Sequence, residues 1–356
     1  MAKISVTDAA FTGLRVVSKN PGAVIAWAVL QLLSMVGMTW FVLSEFGPVF
    51  TQLAATGQTF GPTNPGDAQA RIQDLMPVFH QVLPLYGYLI LFALVLYSIF
   101  ISAMNRAVLR PKESGLGFLR IGPDEFRQMI VMIAYVVLGV LFEIALFAAA
   151  ILAAFGVRAA LRATAPHAPN FIPFAVGAAI FLVGLVVVEV KLSLASAQTF
   201  DGRHINLFGS WRLTDGQVWP MIGTYLLAFL LYIVVAIMVA IVMVIALMIT
   251  GALTHAGAGH MWPPNMGAMH LGVHMDLNSA AMAAKAAQPP FGGARLTDWK
   301  ALAAYLTPMV VVRQLLNAVF VAILMPILLT PPAAIYKALT TETSRPTRTH
   351  ALLNME

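Results

Sequence analysis

Long uncharged stretches, punctuated by short charged ones, set the rhythm of this chain. The clearest runs from Val218 to Ile249 without an Asp, Glu, Lys or Arg. It exceeds the ~20 apolar residues that a helix needs to cross a bilayer. Five others join it, so the pattern predicts six transmembrane helices, at 22–44, 84–104, 128–155, 173–198, 218–249 and 303–329. The predicted fold class is an all-α integral membrane protein, with residues 1–339 forming one polytopic domain. The tail Thr340–Glu356 is polar and expected to be disordered and cytoplasmic.

The polar interruptions carry a pattern of their own. Ahead of the fifth span, Leu207–Gln217 is a short amphipathic run closed by the turn-like Thr214-Asp215-Gly216. A charged, aromatic lead-in of this kind suits the membrane surface, with Trp211 and Trp219 at headgroup level. Two other lead-ins match it. Arg15, Arg120 and Arg212 each precede an isoleucine by ten residues, namely Ile25, Ile130 and Ile222. Each follows a short Gly/aromatic run and is followed by a turn or cap residue: Ser18, Pro123-Asp124 or Asp215. The chain thus parses as three parallel repeats of interfacial amphipathic helix plus transmembrane hairpin. Chance recurrence of such lead-ins wherever a loop meets a membrane is the competing explanation.

Composition strengthens the membrane reading: 60% of the residues are hydrophobic and 10% charged. A soluble domain carries about 25% charged residues. Cysteine is absent, which removes disulfides, cysteine metal sites and thiol nucleophiles. The net charge of +6 comes from basic residues scattered at helix ends, so it reads as topology signal and contact with anionic lipid rather than nucleic-acid binding. Basic excess in the N-terminus, in 105–127 and in 199–217 places both termini in the cytoplasm; Arg158 and Arg162 dissent mildly. The first apolar run is too long for a secretory leader and reads as a retained helix, and no lipidation motif is expected.

Ionisable residues inside spans are the sharpest candidates for chemistry, because hydrocarbon disfavours them. Glu143 lies mid-helix, Glu189 and Lys191 lie near the cytoplasmic end of the fourth span, and Arg313 and Asn317 lie in the sixth. Lys191 can snorkel, which leaves Glu189 in need of a partner. Arg313 reaches mid-membrane if the last span starts near Ala303, where it can pair with Glu189 or Glu143. It sits at the outer interface if that span runs on to Tyr336. A structural clasp or a neutral Glu143 competes with a polar path for transport. Asn317, Pro326, Pro331 and Pro332 predict a kinked or interrupted last helix, and Ser98/Ser102 and Gly177/Gly184 predict close packing seams.

Residues 255–275 hold four of the eight histidines, His255, His260, His270 and His274, among Met261, Met266, Met269 and Met275. Imidazole and thioether donors suit copper, so this external loop is a candidate copper site. A mobile Ala/Met-rich loop is the competing reading, and otherwise no cofactor is implied. Walker, His-Glu-x-x-His, Gly-x-Ser-x-Gly and dinucleotide-binding patterns are all absent.

The segment SWRLTDGQVWPMIG resembles one in the membrane domain attached to some bacterial glycerophosphodiester phosphodiesterases and in stand-alone multi-span relatives. NPGAVIAWAVL and PPAAIYKAL are similar to that family's first helix and closing segment, and NRAVLRPKESGLGFLRIGPDEFRQ to the second cytoplasmic loop of the stand-alone members. The resemblance covers most of residues 10–340. It implies a bacterial inner-membrane module without catalysis, because the family's activity sits in a soluble barrel of roughly 250 residues that finds no room here. The expected function is non-enzymatic engagement of phospholipids or of a membrane protein partner, with Arg15, Arg120 and Arg212 meeting headgroups. The alternatives are a permease-like transporter for a lipid or amphipathic molecule, lined by Glu143, Glu189 and Arg313, and an accessory subunit of a membrane complex. Plain positive-inside anchoring also accounts for the arginines.

Overall fold

A computed structural model describes residues 4–46, 68–165, 167, 169–255 and 308–343. Among these there are helices and no strand: α1 (Val6–Ala10), α2 (Thr12–Lys19), α3 (Pro21–Phe41), α4 (Ala68–Leu109), α5 (Pro123–Thr164), α6 (Phe171–Leu192), α7 (Ala195–Gly202), α8 (Gly209–Leu213), α9 (Val218–His255), α10 (Pro308–Leu329) and α11 (Pro331–Thr343). Six helical stretches are long and apolar enough to cross a membrane: Pro21–Phe46, Phe79–Leu109, Gly115–Thr164, Phe171–Gly202, Val218–Ala252 and Val310–Thr341. The protein is an all-α multi-span membrane protein.

Several helices overrun the predicted spans. The fourth and fifth helices have 42 residues each, which at 1.5 Å per residue is about 63 Å, twice a hydrocarbon core. Hydropathy locates only the apolar middle of such a helix. The ends are set by other chemistry. Pro123 opens α5, needing no partner for an N–H it lacks, and Asp124 and Glu125 follow in the first turn, facing the positive end of the helix dipole. The last helix is interrupted as expected: Thr330 stands between α10 and α11 and turns its backbone N–H (3.1 Å) and its hydroxyl (2.8 Å) back to the Pro326 carbonyl.

The described chain divides into two compact units. The first holds Met1–Ala28, Ala93–Ile237 and Val319–Glu356. In it α1 and α2 pack on α11, so the first and last described helices lie together. Close approach depends on glycine at two places. A Cβ on Gly13 of α2 would stand 2.5 Å from the Ile327 Cα of α10, and one on Gly177 of α6 would stand 2.8 Å from the Ala150 carbonyl oxygen of α5. The α5–α6 seam continues through Leu146 against Gly184, so the glycines serve as internal packing faces. The second unit holds Val29–Phe92 and Met238–Ala318. There Phe41 meets Phe46 and Tyr88 edge-on, Phe46 meets Tyr86, and the Asn317 amide reaches the Met35 sulfur at 3.7 Å.

The three lead-ins do not share one shape. Before α3 the lead-in is two short helices, before α5 it is a 3₁₀ turn at Gly115–Phe118, and before α9 it is α8. The middle one bends through left-handed Leu116 and Gly117 (φ +66°), which brings the Gly117 carbonyl to the Trp27 indole N–H at 2.7 Å. Trp27 is fully buried, so this bond ties the first span to the second lead-in.

Candidate functional site

Two polar sites stand out, both in the first unit. One is buried and answers a question that the sequence left unasked. Arg106, in the last turn of α4, is only 1% exposed. Its guanidinium donates to Glu125 at 2.7 Å and to the Phe118 carbonyl, with Glu113 at 3.7 Å and Asp124 at 3.9 Å. Arg110, a turn further on, pairs with Asp124 at 3.4 Å and donates to the Phe200 carbonyl at 2.9 Å. Both guanidiniums lie over the Phe200 ring, at 5.4 and 4.6 Å from its centroid. Arg127 completes the cluster on Asp124 at 2.6 Å.

Beside it, Asn105, Ser196 and Gln128 form a closed set: the Asn105 amide donates to the Ser196 hydroxyl (3.0 Å), and Gln128 and Ser196 exchange two bonds (2.9 and 2.8 Å). Tyr336 and Lys337 of α11 reach Asp201 and the Val108 carbonyl. Networks of this sort fix register among the elements they join, although the buried Arg106 Nε has no hydrogen-bond partner among the described residues. Basic residues of the 105–127 segment that read as topology signals and lipid contacts are therefore committed in three cases, Arg106, Arg110 and Arg127, to internal partners. The signal that could have pointed to this is the presence of Asp124-Glu125 within the same short segment as those arginines.

The second site assembles residues that the sequence named separately. Lys191, in the last turn of α6, pairs with Asp215 and lies 5.7 Å from the centre of the Trp211 ring. The Ser210 hydroxyl donates to the Lys191 carbonyl at 2.6 Å, fixing α8 on the end of α6. Trp211 stacks on Phe142 of α5 with centroids 6.4 Å apart. Glu143 is the next residue of α5, and Glu189 lies on α6, the other helix of the hairpin. Behind them the Ser193 hydroxyl donates to the Val190 carbonyl (2.8 Å) and so accepts from Tyr225 at 2.6 Å. Lys191, Asp215 and Trp211 thus meet at the end of α6, whereas Glu189, two residues before Lys191, lies on the other side of that helix.

Charge on the hairpin is only partly answered. Lys191 has its partner, whereas Glu143 and Glu189 are exposed and enter no ion pair among the described residues. A charge in a spanning segment costs about 2.5–3.5 kcal/mol even on insertion scales. Arg313 is exposed in the second turn of α10, in the second unit. Asn317 is half-buried and bonded as described above.

The interface candidates are differently placed. Arg15 pairs with Asp8 at 3.6 Å and also donates to the Asp8 carbonyl, and Arg120 pairs with Glu113 at 3.3 Å. Arg212 is exposed in α8, and Trp219, second residue of α9, is 81% exposed. Among the described residues no group of three or more His, Asp or Glu is placed to hold a metal ion. His255 closes α9, while His260, His270, His274, Met261, Met266, Met269 and Met275 lie outside the described residues, as does most of the predicted tail; residues 340–343 belong to α11.

Fold and sites together define a polytopic helical membrane protein, and both of the polar sites described above lie in its first unit. No family model, curated protein or solved structure matches the chain.

Proposed function

We propose that this chain is a non-enzymatic module of a bacterial inner membrane, with both termini cytoplasmic, that engages anionic phospholipid headgroups through its lead-in segments. The observation that carries the reading is the outward placement of Arg15, Arg120, Arg212 and Trp219 on or beside the three segments that lead into spans. Guanidinium groups suit phosphate by charge and by bidentate geometry, and indole rings suit the headgroup layer. The acidic partner of Arg15, Asp8, is exposed and that of Arg120, Glu113, is half-exposed, and pairs at the surface are weak enough to exchange for a phosphate. The resemblance to the phosphodiesterase membrane domain supports the same reading, since it implies a membrane module apart from any catalytic barrel.

The test is mass spectrometry of the protein in native membrane nanodiscs, scoring retained lipid. Anionic lipid is expected to be retained above its bulk fraction and to fall to that fraction in Arg15→Ala/Arg120→Ala/Arg212→Ala. Bulk composition around the unaltered protein would reject the reading.

A further inference from the structure

Three consecutive residues of the second lead-in, Leu116, Gly117 and Phe118, adopt left-handed backbone, with φ of 48°, 66° and 65°. That region suits glycine and is disfavoured for residues with a Cβ, so Leu116 and Phe118 hold it only because their surroundings impose it. Two side-chain donors do so. The Trp27 indole of α3 donates to the Gly117 carbonyl at 2.7 Å, and the buried Arg106 guanidinium of α4 donates to the Phe118 carbonyl. Phe118 is 2% exposed, whereas Leu116 is 85% and Ile121 92% exposed. The same contacts fix the depth of the turn. Gly117 lies against Ala23 and Ala26 of α3, since a Cβ on it would stand 2.9 Å from the Cα of the one and the Cβ of the other. Those residues are two and five positions past Pro21, where the first apolar span begins (23 − 21 and 26 − 21), or about 3 and 8 Å along the helix. The turn therefore sits beside the first two turns of a spanning helix and not beyond its end.

We infer that this turn is a wedge that inserts Leu116 and Ile121 among the acyl chains of the adjoining leaflet. Large apolar side chains held out at that depth meet the boundary between headgroups and acyl chains, where amphipathic segments settle. The residues around them complete the pattern: Lys112 and Arg120 are exposed, and Phe126, fourth residue of α5, is 59% exposed. Long basic side chains reach headgroups while their apolar neighbours enter the acyl boundary. Lipid around Leu116 and Ile121 also gives the left-handed run a purpose. In water it would spend backbone strain on exposing two large aliphatic side chains. The wedge rests on the headgroup reading for the role of Arg120, and adds to it an uncharged contact with the same leaflet.

Because the chain has no cysteine, Leu116→Cys, Ile121→Cys and Lys112→Cys each give a single site for an environment-sensitive fluorophore. The full chain would be reconstituted in vesicles of phosphatidylcholine alone, part of it carrying a nitroxide either on the acyl chain or on the headgroup. Fluorophores at 116 and 121 are expected to be quenched about three-fold more by the acyl-chain nitroxide than by the headgroup one, and to resist aqueous iodide. At position 112 the order is expected to reverse. Without any fluorophore, the thiols at 116 and 121 are expected to react with a charged methanethiosulfonate about ten-fold more slowly than the thiol at 112, which removes the label's own affinity for lipid from the result. Iodide quenching at 116 and 121 equal to that at 112, or equal thiol reactivity, would overturn the wedge. So would protection that is present in native nanodiscs and absent in phosphatidylcholine, which would make a protein the cover. These vesicles contain no anionic lipid, so the two readings fail separately. Acyl-chain quenching together with bulk lipid composition in nanodiscs would keep the wedge and reject headgroup recognition, and the opposite pair of results would do the reverse.

Discussion

Arg106 shows how far a single residue's meaning depends on what folds against it. In the sequence it belongs to a run of basic residues and reads as a topology marker. In the structure it is the buried centre of an ion-pair cluster, with Glu125 at 2.7 Å. Removing one partner of a buried pair leaves the other charge desolvated, a loss of about 3–5 kcal/mol. Glu125→Gln is therefore expected to lower stability by about 3 kcal/mol, read as thermal unfolding in detergent. Glu113→Gln, at the half-exposed edge of the same cluster, is expected to cost under about 1 kcal/mol. Equal effects would mean that burial does not set the strength of these pairs. What made Glu125 hard to foresee is that first-turn acids have a local explanation in the helix dipole, which hides their long-range partner. Glu143 and Glu189 were legible for the opposite reason: no local explanation covers a carboxylate in an apolar helix.

At the scale of elements, hydropathy locates the middles of the spans and misplaces their ends. Gln128 was the expected start of the third span, yet α5 begins at Pro123, because capping and first-turn charge extend a helix past its apolar part. Packing partners were even less accessible, since a glycine in a sequence does not announce which backbone it admits. Gly13 of α2 illustrates the point, with the Pro326 carbonyl oxygen and Ile327 Cα directly over it. Both obstacles are backbone atoms, which have no rotamer by which to yield. Gly13→Ala is expected to lift α2 from α10 and cost about 1–3 kcal/mol. Gly139→Ala in α5 meets nothing within 4 Å and is expected to be neutral or slightly stabilising, within about 1 kcal/mol. Parallel melting curves of the two variants separate close packing from a general intolerance of glycine replacement.

For the whole molecule, span count and the position of the chain ends are two views of one constraint. An even number of crossings returns the chain to the side where it began, and α1 does pack on α11. The lead-in recurrence around Arg15, Arg120 and Arg212 was legible as spacing but not as shape, because Gly117 bends the second lead-in where the first and third are helical. What neither spacing nor packing fixes is which compartment holds the shared end, and the proposal that it is the cytoplasm rests on the distribution of basic residues. On the cysteine-free background, Lys112→Cys and His204→Cys should react with a membrane-impermeant maleimide only from the cytoplasmic face, and Arg162→Cys only from the opposite face. Arg162 lies in the last turn of α5, so its side reports whether the α5–α6 hairpin crosses. Labelling of positions 112 and 162 from one face would remove that crossing and with it the membrane depth assigned to Glu143. Opposite faces with 112 outside would keep the hairpin and invert the molecule, turning the headgroup arginines toward the other leaflet.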